Sequence, residues 1–112
     1  MSSITIPNSV TKIGEGAFCA CIGLTSITIP DSVTSIRKKA FYECTSLASV
    51  SIGNSVISIG ESTFHNCTNM VSVIIPDNVT SIGSSAFYNC NKLTRVYFKG
   101  NAPSLGNDVF YN

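Results

Sequence analysis

The chain has 112 residues, 44% of them apolar and 12% charged, with a formal net charge of +1. That length fits one modest domain rather than two ordinary ones. The composition belongs to packed rather than disordered chain, and the near-neutral balance offers no long-range field for nucleic acid or an anionic membrane. No apolar run approaches a membrane-spanning length, so no membrane insertion is expected. Met1-Ser2-Ser3 leads straight into Ile4-Thr5-Ile6-Pro7 with no charged-then-apolar leader. The expectation is either a cytoplasmic chain or a piece of a longer, exported one, and localisation stays open.

In chain order, the first element is the segment ending Ser3-Ile4-Thr5-Ile6-Pro7. Polar and apolar residues alternate there as in a half-buried strand. Pro7 closes the strand because it has no N–H for the ladder, and Asn8 turns the chain by bonding its own backbone. Val10-x-x-Ile13 predicts a second short extended segment, and Gly14 a tight bend. Ala17-Phe18-x-x-Cys21-x-x-Leu24 spaces apolar residues by three, which predicts one or two turns of helix, partly 3₁₀. Ser26-Ile27-Thr28-Ile29-Pro30 then begins the same series again, 23 residues after the first.

The whole chain repeats at that interval without insertion or deletion. The strand column reads Ile4, Ile27, Val50, Val73, Val96, and the next inward column Ile6, Ile29, Ile52, Ile75, Phe98. Val10, Val33, Val56 and Val79 follow, then Ile13, Ile36, Ile59 and Ile82. Phe18, Phe41, Phe64 and Phe87 form one core column, and Cys21, Cys44, Cys67 and Cys90 another. One repeat is too small to bury its apolar face, whereas stacked coils share a continuous core. Successive strands then lie about 4.8 Å apart in a parallel sheet. The expected fold is an α/β, β-rich solenoid of about five coils, a single domain over 1–112 with repeats starting near 4, 27, 50, 73 and 96.

The pattern Leu24-x-x-Ile27-x-Ile29-Pro30-x-x-Val33-x-x-Ile36-x-x-x-Ala40-Phe41-x-x-Cys44 resembles the BspA-like leucine-rich repeats, also described as the Treponema pallidum class. The resemblance covers essentially all of the chain. It implies a right-handed arc with the Leu-x-x-Ile-x-Ile strands on the concave face. It also implies adhesion, since members are surface proteins of bacteria and mucosal parasites that bind host proteins or other cells. Two departures stand out: Arg37-Lys38-Lys39 replaces the Gly-x-x of other repeats, and the chain begins inside a repeat without an N-terminal cap. The stretch 96–112 has the character of a C-terminal end repeat.

Several residue groups invite chemistry and have simpler readings. Cysteines strung along a line of about 14 Å cannot converge on one tetrahedral zinc. Parallel Cβ vectors about 4.8 Å apart are wider than a disulfide prefers, so a ladder of buried thiols is expected, with Cys19-x-Cys21 a weak redox or metal candidate. His65 is the sole histidine and reads as an exposed turn residue. Asp31 and Asp77 alternate with Asn8 and Asn54 at one repeat phase, as a turn-forming column does. With no phosphate loop, metal cluster or acid–base pair, neither catalysis nor a cofactor is expected.

Binding is the remaining class, through a protein ligand. The outward strand positions are Ser3/Thr5, Ser26/Thr28, Ser49/Ser51, Ser72/Ile74 and Arg95/Tyr97. The stripe is hydroxylated and then turns apolar, aromatic and cationic, so Ile74, Arg95, Tyr97 and Lys99 are the expected binding residues. Arg37, Lys38 and Lys39 form a second candidate, for an anionic group. The alternative is a structural solenoid that associates with further copies through its N-terminal edge, at Ile4-Thr5-Ile6.

Overall fold

In the computed structural model, residues 3–111 are described. Each coil contributes one long and one short strand. The long strands are β1 (Ser3–Thr5), β3 (Ser26–Ile29), β5 (Ser49–Ile52), β7 (Ser72–Ile75) and β9 (Arg95–Phe98). The short ones are β2 (Lys12–Ile13), β4 (Ser35–Ile36), β6 (Ser58–Ile59), β8 (Ser81–Ile82) and β10 (Ser104–Leu105). Every pairing is parallel and in the register of the repeat, Ile4 with Ile27, Ile27 with Val50 and Val73 with Val96. Such stacking follows from the side-chain period of two, because a slip by one residue would turn each inward isoleucine to solvent.

The short strands form one unbroken sheet in the order β10-β8-β6-β4-β2, whereas the long strands divide into β1-β3-β5 and β7-β9. Gly53 lies at this break, at the phase held by Pro30 and Pro76. A Cβ there would lie 2.6 Å from the Pro30 carbonyl oxygen. Gly53 thus lets the end of β5 lie close to coil two where a side chain would collide.

The third side of each coil is where the structure departs from the α/β expectation. The described residues contain no helix, and the protein is a β-solenoid. The Ala-Phe-x-x-Cys stretch is a run of turns in which alternate N–H groups do different things. Ala40, Tyr42 and Cys44 donate within their coil to the carbonyls of Arg37, Lys39 and Phe41, while Lys39, Phe41 and Glu43 donate to Glu61, Thr63 and His65 of the next coil. A helix would keep all of these donors for itself. The alternation requires left-handed backbone at two positions per coil, and Lys39 and Glu43 both have φ of 59°. Ser62/Asn66 and Ser85/Asn89 repeat the pair, and in the first coil it is Gly16 and Ala20.

At the phase of Gly14, which has open space around it, Gly60 and Gly83 serve another purpose than a bend. Gly60 and Gly83 are not left-handed, but a Cβ at either would lie 2.6 and 2.5 Å from a backbone nitrogen of the preceding coil. They permit close approach of coils rather than a bend.

The core is the lumen of this three-sided tube. Leu24, Ile29, Val33, Ile36, Phe41, Leu47, Val56, Phe64, Met70 and Phe87 are all sealed from solvent. The Phe column stacks ring on ring from Phe18 to Phe110, with centroids 5.2 to 5.4 Å apart. No helix is long and apolar enough to cross a membrane among the described residues.

Candidate functional site

The four inner cysteines lie beside the phenylalanines and are buried progressively toward the middle. Cys44, Cys67 and Cys90 are buried, Cys21 is half-buried and Cys19 is exposed; all five are free thiols. Three of these thiols donate to the carbonyl of the phenylalanine one coil back: Cys44 to Phe18 at 3.1 Å, Cys67 to Phe41 at 3.3 Å and Cys90 to Phe64 at 3.1 Å. Burial pushes the Cys44 thiol up to about 11 and the Cys90 thiol up to about 12, and raises that of Cys67 in the same way. A thiol kept protonated is a poor nucleophile and a poor metal ligand, and at Cys44, Cys67 and Cys90 burial favours that form.

A second aromatic column runs one residue after the phenylalanines. Tyr42, His65, Tyr88 and Tyr111 stack with centroids 4.9, 4.7 and 5.1 Å apart. His65 is therefore not the exposed turn residue its sequence position suggested; it is half-buried, and its Nδ1 is buried without a hydrogen-bond partner. Loss of water holds its pKa below the usual histidine range; Glu43 opposes that shift and Lys39 reinforces it. The signal for this column was present at the twenty-third-residue interval from Tyr42 on, but it mixes Tyr with His and the first coil has Cys19 at that phase.

The basic run is largely engaged by its neighbours. Lys38 Nζ lies 3.8 Å from Glu61 Oε1, and Lys39 Nζ sits 5.2 Å from the centroid of the Tyr42 ring. Arg37, exposed, makes no ion pair among the described residues. The Asx column is also occupied: Asp31 Oδ1 accepts the Asn54 N–H at 2.8 Å, and the Asn78 amide donates to the Asn54 carbonyl at 2.8 Å.

The outward face of the long strands is different. In β7 and β9 the alternation places Ser72, Ile74, Arg95 and Tyr97 outside. Ile74 and Tyr97 are register partners and are 54% and 66% exposed, against near-complete burial of Val73 and Ile75 beside them. Ser72 pairs with Arg95 in the same ladder, and Lys99 follows at the end of β9, exposed. Arg95 and Lys99 make no ion pair among the described residues. Alongside runs an open groove of about 760 Å³, from Asn8 in the first coil past Thr28, Ser51 and Gly53 to Ile74 and Lys99. The break between β5 and β7 lies within it.

A tube of similar coils, hydrogen-bonded on three sides save at the β5–β7 break, with one outward strand face that loses its hydroxyl pattern at one end, defines a repeat scaffold. The chain belongs to the BspA-type leucine-rich repeat family, whose model matches residues 1–112 in six copies. Among solved structures, a leucine-rich repeat protein from Bacteroides capillosus is 36% identical, with a TM-score of 0.76 over 88% of this chain and 76% of that one. A leucine-rich cell surface protein from Faecalibacterium prausnitzii is 29% identical with a TM-score of 0.77, over 90% of this chain but only 33% of its own length, so this chain spans about a third of it. A leucine-rich repeat protein of T. pallidum, 20% identical with a TM-score of 0.74 over 96% of this chain and 74% of that one, shares the fold. No curated protein matches the chain.

Proposed function

We propose that the protein is a non-catalytic interaction module of the surface-adhesion type, whose protein partner docks on the outward long-strand face at its Ile74–Lys99 end. One observation carries this reading. Ile74 and Tyr97 stand side by side in solvent, where apolar side chains of that size lower solubility unless something covers them. Unpaired Arg95 and Lys99 flank them, and tyrosine with arginine is the pairing that anchors interfaces. The relative from F. prausnitzii carries the description of a cell surface protein, which supports the adhesion setting.

The test compares the wild type with the Arg95→Ser/Tyr97→Ser double variant for affinity toward a captured and identified ligand. Both positions are exposed, so the variant keeps its fold. A loss of about tenfold or more is expected, since truncating anchor residues costs more than 1 kcal/mol each. Unchanged affinity removes this face from consideration.

A further inference from the structure

Independently of what docks on the long-strand face, we infer that the two ends of the solenoid bind each other between copies of this chain. The coil of β9 and β10 in one copy stacks on the coil of β1 and β2 in the next. Both end faces are open cross-sections of the core. Ile29, Val33 and Phe41 are sealed in the second coil, whereas Ile6, Val10 and Phe18 at the same phases are only half-buried. With Ile4, Ile13 and Ala17 they line an apolar hollow of about 240 Å³. At the other end Leu105 is 48% and Phe110 38% exposed, where Ile82 and Phe87 one coil back are 1% each. Apolar surface gathered in this way marks a place for a partner.

The backbone determines which partner fits. On the third side each coil donates to the coil after it: Phe41 to Thr63, Phe64 to Ala86 and Phe87 to Val109. Among the described residues this series stops at both ends. The N–H groups of Asp108 and Phe110 have no acceptor, and the carbonyls of Glu15 and Ala17 have no donor. After the short strands the direction reverses, since Arg37 donates back to Ile13 and Gly106 to Ile82, which leaves the Gly14 N–H and the Leu105 carbonyl open. Every donor left at one end therefore has its acceptor at the other. The outermost strands are β1 and β2 at one end and β9 and β10 at the other, edges that recruit further strands unless something blunts them.

The side chains agree with the backbone. Stacked in the register of the repeat, Val96 meets Ile4, Leu105 meets Ile13 and Phe110 meets Phe18 of the second copy, so the core columns run on across the junction. Like charges do not meet there: Glu15 falls beside Asn107, Asp108 beside Gly16 and Arg95 beside Ser3. Two like ends do not fit, because matching the third side to itself sets carbonyls against carbonyls and leaves the N–H groups unused. An interface between unlike faces related by translation along the tube does not close on itself, so the product is a linear stack that lengthens with concentration.

Sedimentation velocity of the chain, with reductant present to keep the exposed Cys19 a thiol, tests this. The weight-average mass should rise to at least about twice the monomer mass between about 1 μM and about 1 mM. Leu105→Asp charges one end face and Ala17→Arg covers the other; both positions are exposed, and thermal unfolding verifies each fold. Either variant alone should stay monomeric. Mixed in equal amounts, the two should form a dimer and nothing larger, through the one intact face of each. Ile74→Ser, which lies away from both ends, should associate like the wild type. A wild type that is monomeric at every concentration overturns the inference, and that arm decides without the variants. So does a single end variant that still associates, which would mean contact between like faces, or a mixture that stays monomeric. Loss of association in Ile74→Ser would move the contact to the long-strand face and overturn the end-to-end stack.

Discussion

Between Tyr42 and Tyr88, the imidazole of His65 is shielded from water on both ring faces and its Nδ1 is buried without a partner. Desolvation disfavours the charged form, so the folded state holds His65 neutral more strongly than the unfolded chain does. The sign follows from linkage. The stabilising contribution is complete above the unfolded value of about 6.5 and is lost as pH falls through it toward the lower folded value. Urea midpoints should therefore drop between about pH 7 and pH 5, before most carboxylates titrate. His65→Tyr, which continues the stack without a titrating ring, should flatten that slope; an equal slope in the variant would place its cause elsewhere. The Phe and Cys columns were legible because each repeats one residue type or nearly so. The Tyr–His column was not, because it opens with Cys19 and then mixes two chemically different residues that share only the ring shape by which they stack. Glutamate and lysine partners on neighbouring coils were hidden for the same reason: Lys38 looks like part of a basic run along the chain, yet its neighbour in space is Glu61.

At the level of elements, the strands came directly from period-two alternation and the turn after each from Pro and Asx residues. The third side did not. Apolar residues spaced by three fit a helix and also fit successive turns that point every third side chain inward. Outside Gly16 the left-handed positions are held by residues such as Lys39, Glu43, Ser62 and Asn66, so composition carried little warning. What decides the matter is the neighbouring coil, which offers acceptors to Lys39, Phe41 and Glu43 that an isolated segment lacks. The glycines left over are spacers between coils. Gly83→Ala would put a Cβ 2.5 Å from the Glu61 nitrogen, where backbone must move. Overpacking of this kind costs about 1–3 kcal/mol, measurable as a lower denaturation midpoint. A loss below a few tenths of a kcal/mol would mean that the coils separate freely at that corner.

For the whole molecule, stability is close to a sum over interfaces between neighbouring coils, because each coil touches only the next. Those interfaces are not equal here. β3 is laddered on both sides, whereas β5 and β7 are each laddered on one. Hydrogen exchange read by mass spectrometry should show residues 49–52 and 72–75 exchanging faster than 26–29, with the short strands β4, β6 and β8 protected alike as an internal reference. Equal protection of all three long strands would mean that the seam is closed in solution. The period alone made the solenoid legible; the seam was not legible in it, and Gly53, standing where Pro30 and Pro76 stand in the neighbouring coils, marks its place.

A chain of near-identical coils has a hazard that ordinary domains lack: while folding, a coil can stack on the wrong neighbour, skipping one and still burying isoleucine on isoleucine. Hydrophobic columns cannot tell the difference. The position that holds Lys38 is filled by Glu15 one coil earlier and by Glu61 one coil later. Skipping the second coil would bring two glutamates together, and correct order brings opposite charges together, so like-charge repulsion penalises the misordered stack. The ion pair between Lys38 and Glu61, exposed and of little value to the finished fold, thus belongs to a charge pattern that favours the correct order of these three coils over the stack that skips the second.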